Sequence, residues 1–256
     1  MKIQEYMKNP AGKGAVIPGK DMFIQNFDYR YQVLSKEKEF ELNIYTQGNE
    51  VFYHILVPSE GKYRENKYDV IIKFKPDGIG NKIDASYKQY NIEFFSNSPA
   101  FAYTYAYVAK LNGLLVMELA NKFDDKILNY PPTSRNPGLL FNYEKSLYFA
   151  CKFLLSDNQF LLKSYVKMHS KKLTKKVLKE IKTLSQVEEE YKRESNMKEE
   201  RELKELKKHM EKKEPVKSIG KKETKTSINK VKKITPNKKK ANNITPIKKK
   251  KKTVKR

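Results

Sequence analysis

The sequence contains a single cysteine, no tryptophan and no long uninterrupted apolar run. Because Cys151 has no partner, an intrachain disulfide cannot form, and a reducing intracellular compartment is expected. The longest apolar stretch, residues 101–120, is interrupted by Lys, Asn and Gly, and the N-terminus has no apolar segment typical of a secretory signal. We therefore predict a soluble, cytoplasmic protein with no membrane span; a virion-associated protein made in a cytoplasm would look the same.

Clusters of metal ligands and catalytic side chains are also missing from the sequence. The three histidines, His54, His169 and His209, are far apart, and no His or Cys cluster has the spacing of a zinc site. Cys151 lies in an apolar helical pattern with no histidine near it, which predicts a buried thiol rather than a nucleophile. The sequence thus predicts no metal, no cofactor and no catalytic residue.

One short segment has the glycine spacing of a nucleotide-binding P-loop, with Gly14 followed after four residues by Gly19 and Lys20. A P-loop needs a Ser or Thr hydroxyl for Mg²⁺ at the next position, where this chain has Asp21. It also follows a buried strand, whereas the residues before this segment are few and polar. We predict instead that residues 1–20 form a flexible Gly/Pro arm.

A second weak match is to nucleases with a PD-(D/E)xK motif. Pro76 and Asp77 end a predicted strand, but the D/E-x-K element should follow on the next strand, and the nearby example at residues 60–62 precedes it. A β-turn built from Pro, Asp and Gly is the favoured interpretation.

Residues 21–168 have the patterns of a domain with both helices and strands. Apolar side chains from Phe23 to Leu34 recur at three- and four-residue spacings, which predicts a helix. Four strand-like segments follow, and a turn at Gly48 joins the first two as a hairpin. They are residues 39–46, 50–57, 68–75 and 90–95. We predict an α+β fold in which a small antiparallel sheet of about four strands packs with helices.

The segment after the fourth strand has the signals of a helix. Ser98 is suited to cap it, Pro99 to its first position and Gly113 to its end. Tyrosines at 103, 105 and 107 alternate as in a strand, but the cap and the proline favour a helix. For these tyrosines, packing in an aromatic core is preferred over stacking on nucleic-acid bases. Further helices are predicted at 142–155 and from about 157.

Residues 169–214 are predicted to form a charged helical arm. From residue 171 onward its 15 basic and 11 acidic residues are interspersed, which favours a solvated helix with ion pairs over a DNA-reading basic region. The apolar seam from Leu173 to Tyr191 is narrow and its spacings drift, as in an exposed helix or a broken coiled coil. We expect the seam to pack on its own domain or to mediate self-association through residues 173–191.

Residues 215–256 carry most of the net charge. They hold 17 Lys and Arg residues and one acid, so they contribute +16 of the total +24. They contain no aromatic residue and few aliphatic ones, which predicts a disordered tail. A repeat at 232–240 and 242–252 places dense lysine blocks beside prolines. Because Lys outnumbers Arg sixteen to one here, contact with phosphates is expected rather than reading of bases.

The tail residues predicted to contact the phosphate backbone of DNA or RNA are Lys221, Lys222, Lys230, Lys232, Lys233, Lys238, Lys239, Lys240, Lys248, Lys249, Lys250, Lys251, Lys252, Lys255 and Arg256. A solubilising tail, a localisation signal and contact with an anionic membrane are the alternatives.

Five segments, NPAGKGAVIP, VPSE, YDVIIKF, FFSNSPAFAYTYAYV and RNPG, resemble an uncharacterised protein family of tailed phages and prophages of low-GC Gram-positive bacteria. The resemblance covers residues 8–165. It implies a phage protein associated with virions or packaging, and it identifies no catalytic residue.

These patterns together predict a non-enzymatic, phage-type protein that binds nucleic acid without sequence preference through its tail. A second hypothesis is a virion structural, assembly or DNA-packaging protein whose folded domain docks other phage structural proteins. An unrecognised enzyme is the third.

Overall fold

The computed structural model describes residues 1–12, 15–60, 66–76 and 85–211, with side chains up to residue 208. The strands are β1 (Glu41–Gln47), β2 (Glu50–Pro58), β3 (Lys67–Lys75), β4 (Asn91–Ser96) and β5 (Ser170–Lys172). The α-helices are α1 (Ile3–Lys8), α2 (Lys20–Glu37), α3 (Pro99–Thr104), α4 (Ala106–Leu111), α5 (Asp125–Asn129), α6 (Lys145–Ser156), α7 (Lys163–His169), α8 (Lys175–Glu180) and α9 (Leu184–Glu211). Short 3₁₀ helices, three to six residues long, lie at Tyr87–Gln89, Met117–Lys122 and Asn158–Leu161.

One sheet with the strand order β4-β3-β2-β1-β5 organises the described residues, and the predicted α+β fold is confirmed. The four predicted strands pair antiparallel, and Gly48, with φ of 60°, makes the tight turn between β1 and β2. The fifth strand was not predicted. It is short and polar and pairs parallel with β1, from Ile44 opposite Ser170 to Thr46 opposite Lys172. A three-residue strand leaves no alternation for a sequence pattern to show.

Both faces of the sheet are covered. Tyr53, Ile72 and Phe94 lie side by side across three strands on the first face, which α6 covers. The neighbouring residues Ile71 and Phe95 point to the second face, as successive residues of a strand do, and they are buried as well. Residues 69–74 of β3 are therefore buried without a break, rather than in the half-exposed alternation expected of a simple antiparallel sheet.

The predicted flexible arm at residues 1–20 is wrong for the described part of that segment. Ile3 and Tyr6 lie on one side of helix α1 and are fully buried. The Tyr6 ring centroid is 4.8 Å from that of Phe94, and the Ile92 N–H donates to the Met1 carbonyl at 2.9 Å. A six-residue helix is too short for its apolar spacing to be recognised, so its burial was missed.

The helix predicted after Ser98 forms with the predicted ends. The Ser98 hydroxyl accepts from the Phe101 N–H at 3.1 Å, and Gly113 adopts φ of 63° after the last turn. The segment is nevertheless two short helices, because Tyr105 departs from helical geometry between α3 and α4. Helix α6 matches its prediction, and its apolar side includes the buried Cys151.

The boundary predicted between residues 168 and 169 does not hold. Residues Met1–His209 form one compact unit, in which β5 joins the sheet. The seam residues Leu173, Ile181, Leu184 and Val187 are buried. The expectation that the seam packs is confirmed, and packing on its own domain covers it without a second copy.

Beyond the seam, α9 matches the predicted solvated helix. Its side chains are mostly exposed, including Leu203 and Leu206, and two ion pairs four residues apart lie along it. The pairs are Arg193 with Glu189 at 3.7 Å and Lys198 with Glu202 at 3.6 Å. The tail from residue 212 to 256 lies outside the described residues, so its predicted disorder stays a prediction.

Because Ile3 is fully buried, we expect Ile3→Ala to lower the free energy of unfolding by about 2–5 kcal/mol. Val16, from the same predicted arm, is 81% exposed, and Val16→Ala should change stability by less than about 0.5 kcal/mol. Urea denaturation followed by circular dichroism measures both. Equal stabilities for the two variants would contradict the burial of Ile3 and support the prediction of a flexible arm.

Candidate nucleic-acid interface

The fifteen tail residues predicted to contact phosphates, from Lys221 to Arg256, lie outside the described residues. The structure therefore places none of them. The cations of the folded part are the remaining candidates for an interface.

A second basic segment lies within the folded part, between Lys163 and Lys182. It contains eight lysines and one acid, Glu180. Sequence reasoning missed it because its charge was counted together with that of the residues that follow. Helix α9 alone holds nine acids and seven Lys and Arg residues, so the two segments seemed to be one interspersed arm. When the chain is divided at the loop before α9, the segment before the loop is strongly basic, whereas α9 mixes both signs.

Three consecutive elements position this basic segment. Helix α7 runs into the edge strand β5, and α8 follows at once, with its N-terminus capped by Thr174. Val166, Leu173 and Ile181 are buried and anchor the three elements to the core. The Leu173 N–H also donates to the Thr46 carbonyl at 2.9 Å, next to the ladder between β1 and β5. The lysines between the anchors are thus carried on fixed backbone rather than on a mobile arm.

Six lysines of the segment lie close together along the chain, and we call them jointly the lysine face. They are Lys167, Lys171, Lys172, Lys175, Lys176 and Lys179, and all six are exposed. Within the described ranges, none of their ammonium groups lies within ion-pair distance of a carboxylate. An exposed cluster of like charges repels itself, so it lowers stability unless an anion neutralises it. Such a face is chemically suited to polyanions.

Lys73 shows how a structural lysine of this protein differs. It is 4% exposed on β3, and its Nζ lies 3.0 Å from Glu50, 2.5 Å from Glu118 and 3.6 Å from Glu93. Burial alone would lower the pKa of this ammonium group, but hydrogen bonds to Glu118 and Glu50 and attraction to Glu118 and Glu93 raise the pKa above its usual value. The fully paired Lys73 serves the fold, not a ligand.

A His–Asp pair on the second face also has a structural explanation. His54 Nε2 and Asp69 Oδ1 are 2.6 Å apart, and the second carboxylate oxygen accepts from the Asn97 amide at 2.8 Å. That same oxygen accepts from the Lys182 backbone N–H at 3.2 Å, and the Asn97 amide donates to the Lys182 carbonyl. The pair therefore fastens the loop between α8 and α9 to the sheet. Cys151 is no partner for it, since burial raises the pKa of its thiol well above the usual value.

A buried cluster of Ser96, Ser98, Ser146 and Glu144 similarly caps helices. The Glu144 carboxylate accepts from the Ser98 hydroxyl at 3.1 Å, the Ser146 hydroxyl at 2.6 Å and the Leu147 N–H at 2.8 Å. Both α3 and α6 begin at these contacts, where helix N-termini favour negative charge. The four side chains are at most 3% exposed, so no substrate can reach them.

The weak motifs gain no support from the described residues. In the P-loop-like segment, Gly14 is outside them, and Gly19 precedes α2 with φ of 68°, which suits a turn. In the nuclease-like motif, Asp77 is also outside, and Glu60 is engaged by Arg30 and by Lys145 at 2.6 Å. Burial alone would raise the pKa of the Glu60 carboxyl, but these cations hold its pKa below the usual range. Among the residues described, no group of three His, Cys, Asp or Glu side chains could hold a metal ion.

The three tyrosines of FAYTYAYV have different environments. Tyr105 packs against Phe141 with ring centroids 6.1 Å apart, and burial together with the Glu144 charge raises its pKa to about 12. It belongs to the predicted aromatic core. Tyr103 and Tyr107 instead line a cleft at the surface.

Comparison with protein-family models, curated proteins and solved structures gives no match for this chain. In the part of the chain that the structure covers, no helix is both long and apolar enough to cross a membrane.

Two sets of lysines should respond differently to neutralisation. Lys73→Gln leaves three carboxylates without their buried cation, and we expect a loss of about 3–5 kcal/mol of stability. Replacing Lys171, Lys172, Lys175 and Lys176 together by Gln removes no ion pair within the described residues and should leave stability unchanged or slightly raised. Thermal and urea unfolding measure both. A large loss in the fourfold variant would show that the lysine face is structural.

Proposed function

We propose that this protein binds nucleic acid without sequence preference, through phosphate contacts made by the tail at 215–256 and by the lysine face. The observation that carries the proposal is the lysine face itself, six exposed ammonium groups with no carboxylate partner among the described residues. The tail adds 17 basic residues with one acid. Both are lysine-rich, and a lysine ammonium group contacts phosphate as a point charge.

Counterion release explains why such surfaces bind. Each phosphate that a lysine neutralises frees a condensed cation from the nucleic acid, and this gain is independent of base sequence. Specific reading would need arginine, asparagine or glutamine side chains held against base edges. The lysine face has none of these within the segment 163–182. We therefore propose that the protein binds nucleic acids of any sequence with similar affinity and does not recognise particular bases.

The resemblance to tailed-phage proteins supports a biological setting for this activity. In that setting the nucleic acid is phage DNA or RNA, met in the host cytoplasm or inside a virion, and the protein is not an enzyme. This setting is part of the proposal.

A second candidate function is assembly with other phage structural proteins. The observation that favours it is the outer side of α2, where Met22, Phe23, Tyr29 and Val33 are exposed. Beside them a groove of about 320 Å³ runs between α2 and Glu60. Exposed apolar side chains grouped on one helix mark contact surfaces more often than scattered ones do.

Binding should depend steeply on salt. If about half of the 17 basic tail residues contact duplex phosphates together, log K should fall against log salt with a slope of roughly −7. A chain ending at residue 214 should lose most of this slope and keep its fold, since the compact unit Met1–His209 is left intact. Fluorescence anisotropy with two unrelated duplexes of equal length measures the slope and should give equal affinities.

The lysine face has a matched control on α9. Replacing Lys171, Lys172, Lys175 and Lys176 by Gln should reduce the slope by about 3.6, since each lost contact changes it by about 0.9. Replacing Lys192, Lys204, Lys207 and Lys208, which are equally exposed but lie among acids, should reduce it by less than about 1. Equal effects would mean that only net charge matters. Absence of binding at low salt would remove this function and leave assembly as the better hypothesis.

Assembly through α2 can be tested by sedimentation. If the exposed side of α2 mediates self-assembly, the protein should sediment as an oligomer, and Met22→Ser with Tyr29→Ser should make it a monomer without loss of stability, because both side chains are more than two-thirds exposed. A monomeric parent protein would exclude self-assembly through this surface.

A further inference from the structure

A surface cleft of about 240 Å³ lies between α3, α4, α5 and the proline-rich connector after α5. Its lining is mostly aromatic and apolar. The lining residues are Ala102, Tyr103, Tyr107, Lys126, Ile127, Tyr130 and Pro132. We call it the tyrosine cleft, because three of its walls present a tyrosine ring.

The walls of the tyrosine cleft are held in place by hydrogen bonds from outside it. The Asn136 amide donates to the Thr104 carbonyl at 3.2 Å and to the Leu140 carbonyl at 2.9 Å, which fastens the connector to α3. Lys110 Nζ donates to the Leu128 carbonyl at 3.2 Å and to Asn129 at 3.0 Å, which fastens α4 to the end of α5. A preformed site loses little entropy when a ligand enters.

The rings are accessible to a flat ligand. Tyr130 is 70% exposed at the mouth, and Tyr107 is half-buried in the wall. The Tyr103 ring is fixed, since its hydroxyl donates to Glu188 at 2.8 Å. Aromatic side chains with an exposed face stack on bases of any sequence, because every base has a π-face.

The charged groups around the cleft suit a ligand with a negative backbone. Lys126 is part of the lining, and the Arg135 guanidinium lies 5.1 Å from the centre of the Tyr103 ring. Two carboxylates are also near. Asp124 accepts from the Lys126 N–H as the cap of α5, and Glu188 accepts from Tyr103, both from neutral donors. Neither Lys126 nor Arg135 forms an ion pair with a carboxylate among the described residues, so both can contact phosphates on either side of a bound base.

We propose that the tyrosine cleft binds a base of a single-stranded nucleic acid by stacking on Tyr107 and Tyr130, with Lys126 and Arg135 contacting the flanking phosphates. This inference rests on the proposed function and adds a preference to it. A duplex keeps its bases stacked on one another and cannot offer one to the cleft, whereas a single strand can. The cleft thus favours single strands, while the tail and the lysine face attract either form.

The test compares two probes of equal charge with the full-length protein. One is a 20-nucleotide oligo(dT), and the other is a 20-nucleotide strand whose sugars carry no bases. The protein should bind oligo(dT) about tenfold more tightly, which is in the lower part of the range for stacking one base on an aromatic side chain. Tyr107→Ala with Tyr130→Ala should bring the two affinities together without changing the salt slope of the abasic strand.

Matched variants separate stacking from loss of structure. Leu111→Ala removes an apolar side chain of α4 that is 60% exposed and does not line the cleft, and it should keep the tenfold preference. Tyr130→Phe retains a stacking ring and should keep it too, and Tyr130→Ala alone, at an exposed position, should reduce it with no loss of thermal stability.

Equal binding of both probes by the parent protein would overturn the inference while leaving charge-driven binding in place. A preference that survives in the double variant would overturn it as well. Binding of neither probe at low salt would remove the proposed function, and the inference with it.

Discussion

Asp69 and Lys73 both lie on strand β3, which is buried on its two faces, and neither charge could stay there without partners. This constraint determines what covers the second face of the sheet. Asp69 is paired by His54, Asn97 and the backbone of Lys182, while Lys73 is paired by three glutamates from β2, β4 and the 3₁₀ helix at Met117–Lys122. Once these groups are paired, the loop before α9 is fastened to the sheet, and Ile181, Leu184 and Val187 are buried with it. The segment from β5 to the start of α9 is therefore part of the domain and not an arm.

The fastened loop also divides the chain into a basic segment before it and a segment of mixed charge after it. On its N-terminal side the chain is cationic and anchored by buried Val166, Leu173 and Ile181; on its C-terminal side α9 mixes both signs and forms ion pairs along its own length. A lysine paired within a helix contributes a few tenths of a kcal/mol to that helix and has little to offer an external anion. The lysines of the lysine face, which form no ion pair with a described carboxylate, give the fold no such benefit. This segregation of the two sets is the basis for proposing the lysine face, rather than α9, as the interface.

Sequence patterns correctly predicted the helices and turns whose signals lie within a few neighbouring residues. The hairpin at Gly48, the capped helix after Ser98 and the apolar side of α6 each have a signature within a few residues. Two features had no such signature: the burial of Ile3 and Tyr6, and the pairing of β5 with β1. Each depends on contacts between residues distant in the chain, such as Tyr6 with Phe94 or Ile44 with Ser170. The lysine face could have been found, since counting charge over residues 163–182 instead of 171–214 reveals it. The tyrosine cleft could not, because α5 and the connector bring Tyr130 beside Tyr107 only in the folded chain.

The lysine-rich surfaces and the tyrosine cleft, which we propose for nucleic-acid binding, differ in range and therefore in what each would contribute. Attraction between lysines and phosphates acts over about a Debye length, roughly 8 Å at physiological salt, and would speed encounter with any nucleic acid. Stacking in the tyrosine cleft acts only on contact and requires a base that has left its neighbours. Charge alone gives a protein that exchanges rapidly between duplex and single strand, since both carry the same phosphates. Adding a rigid aromatic cleft to such a surface lengthens the time spent on single strands without any reading of sequence, because the cleft contacts the face of a base and not its edge.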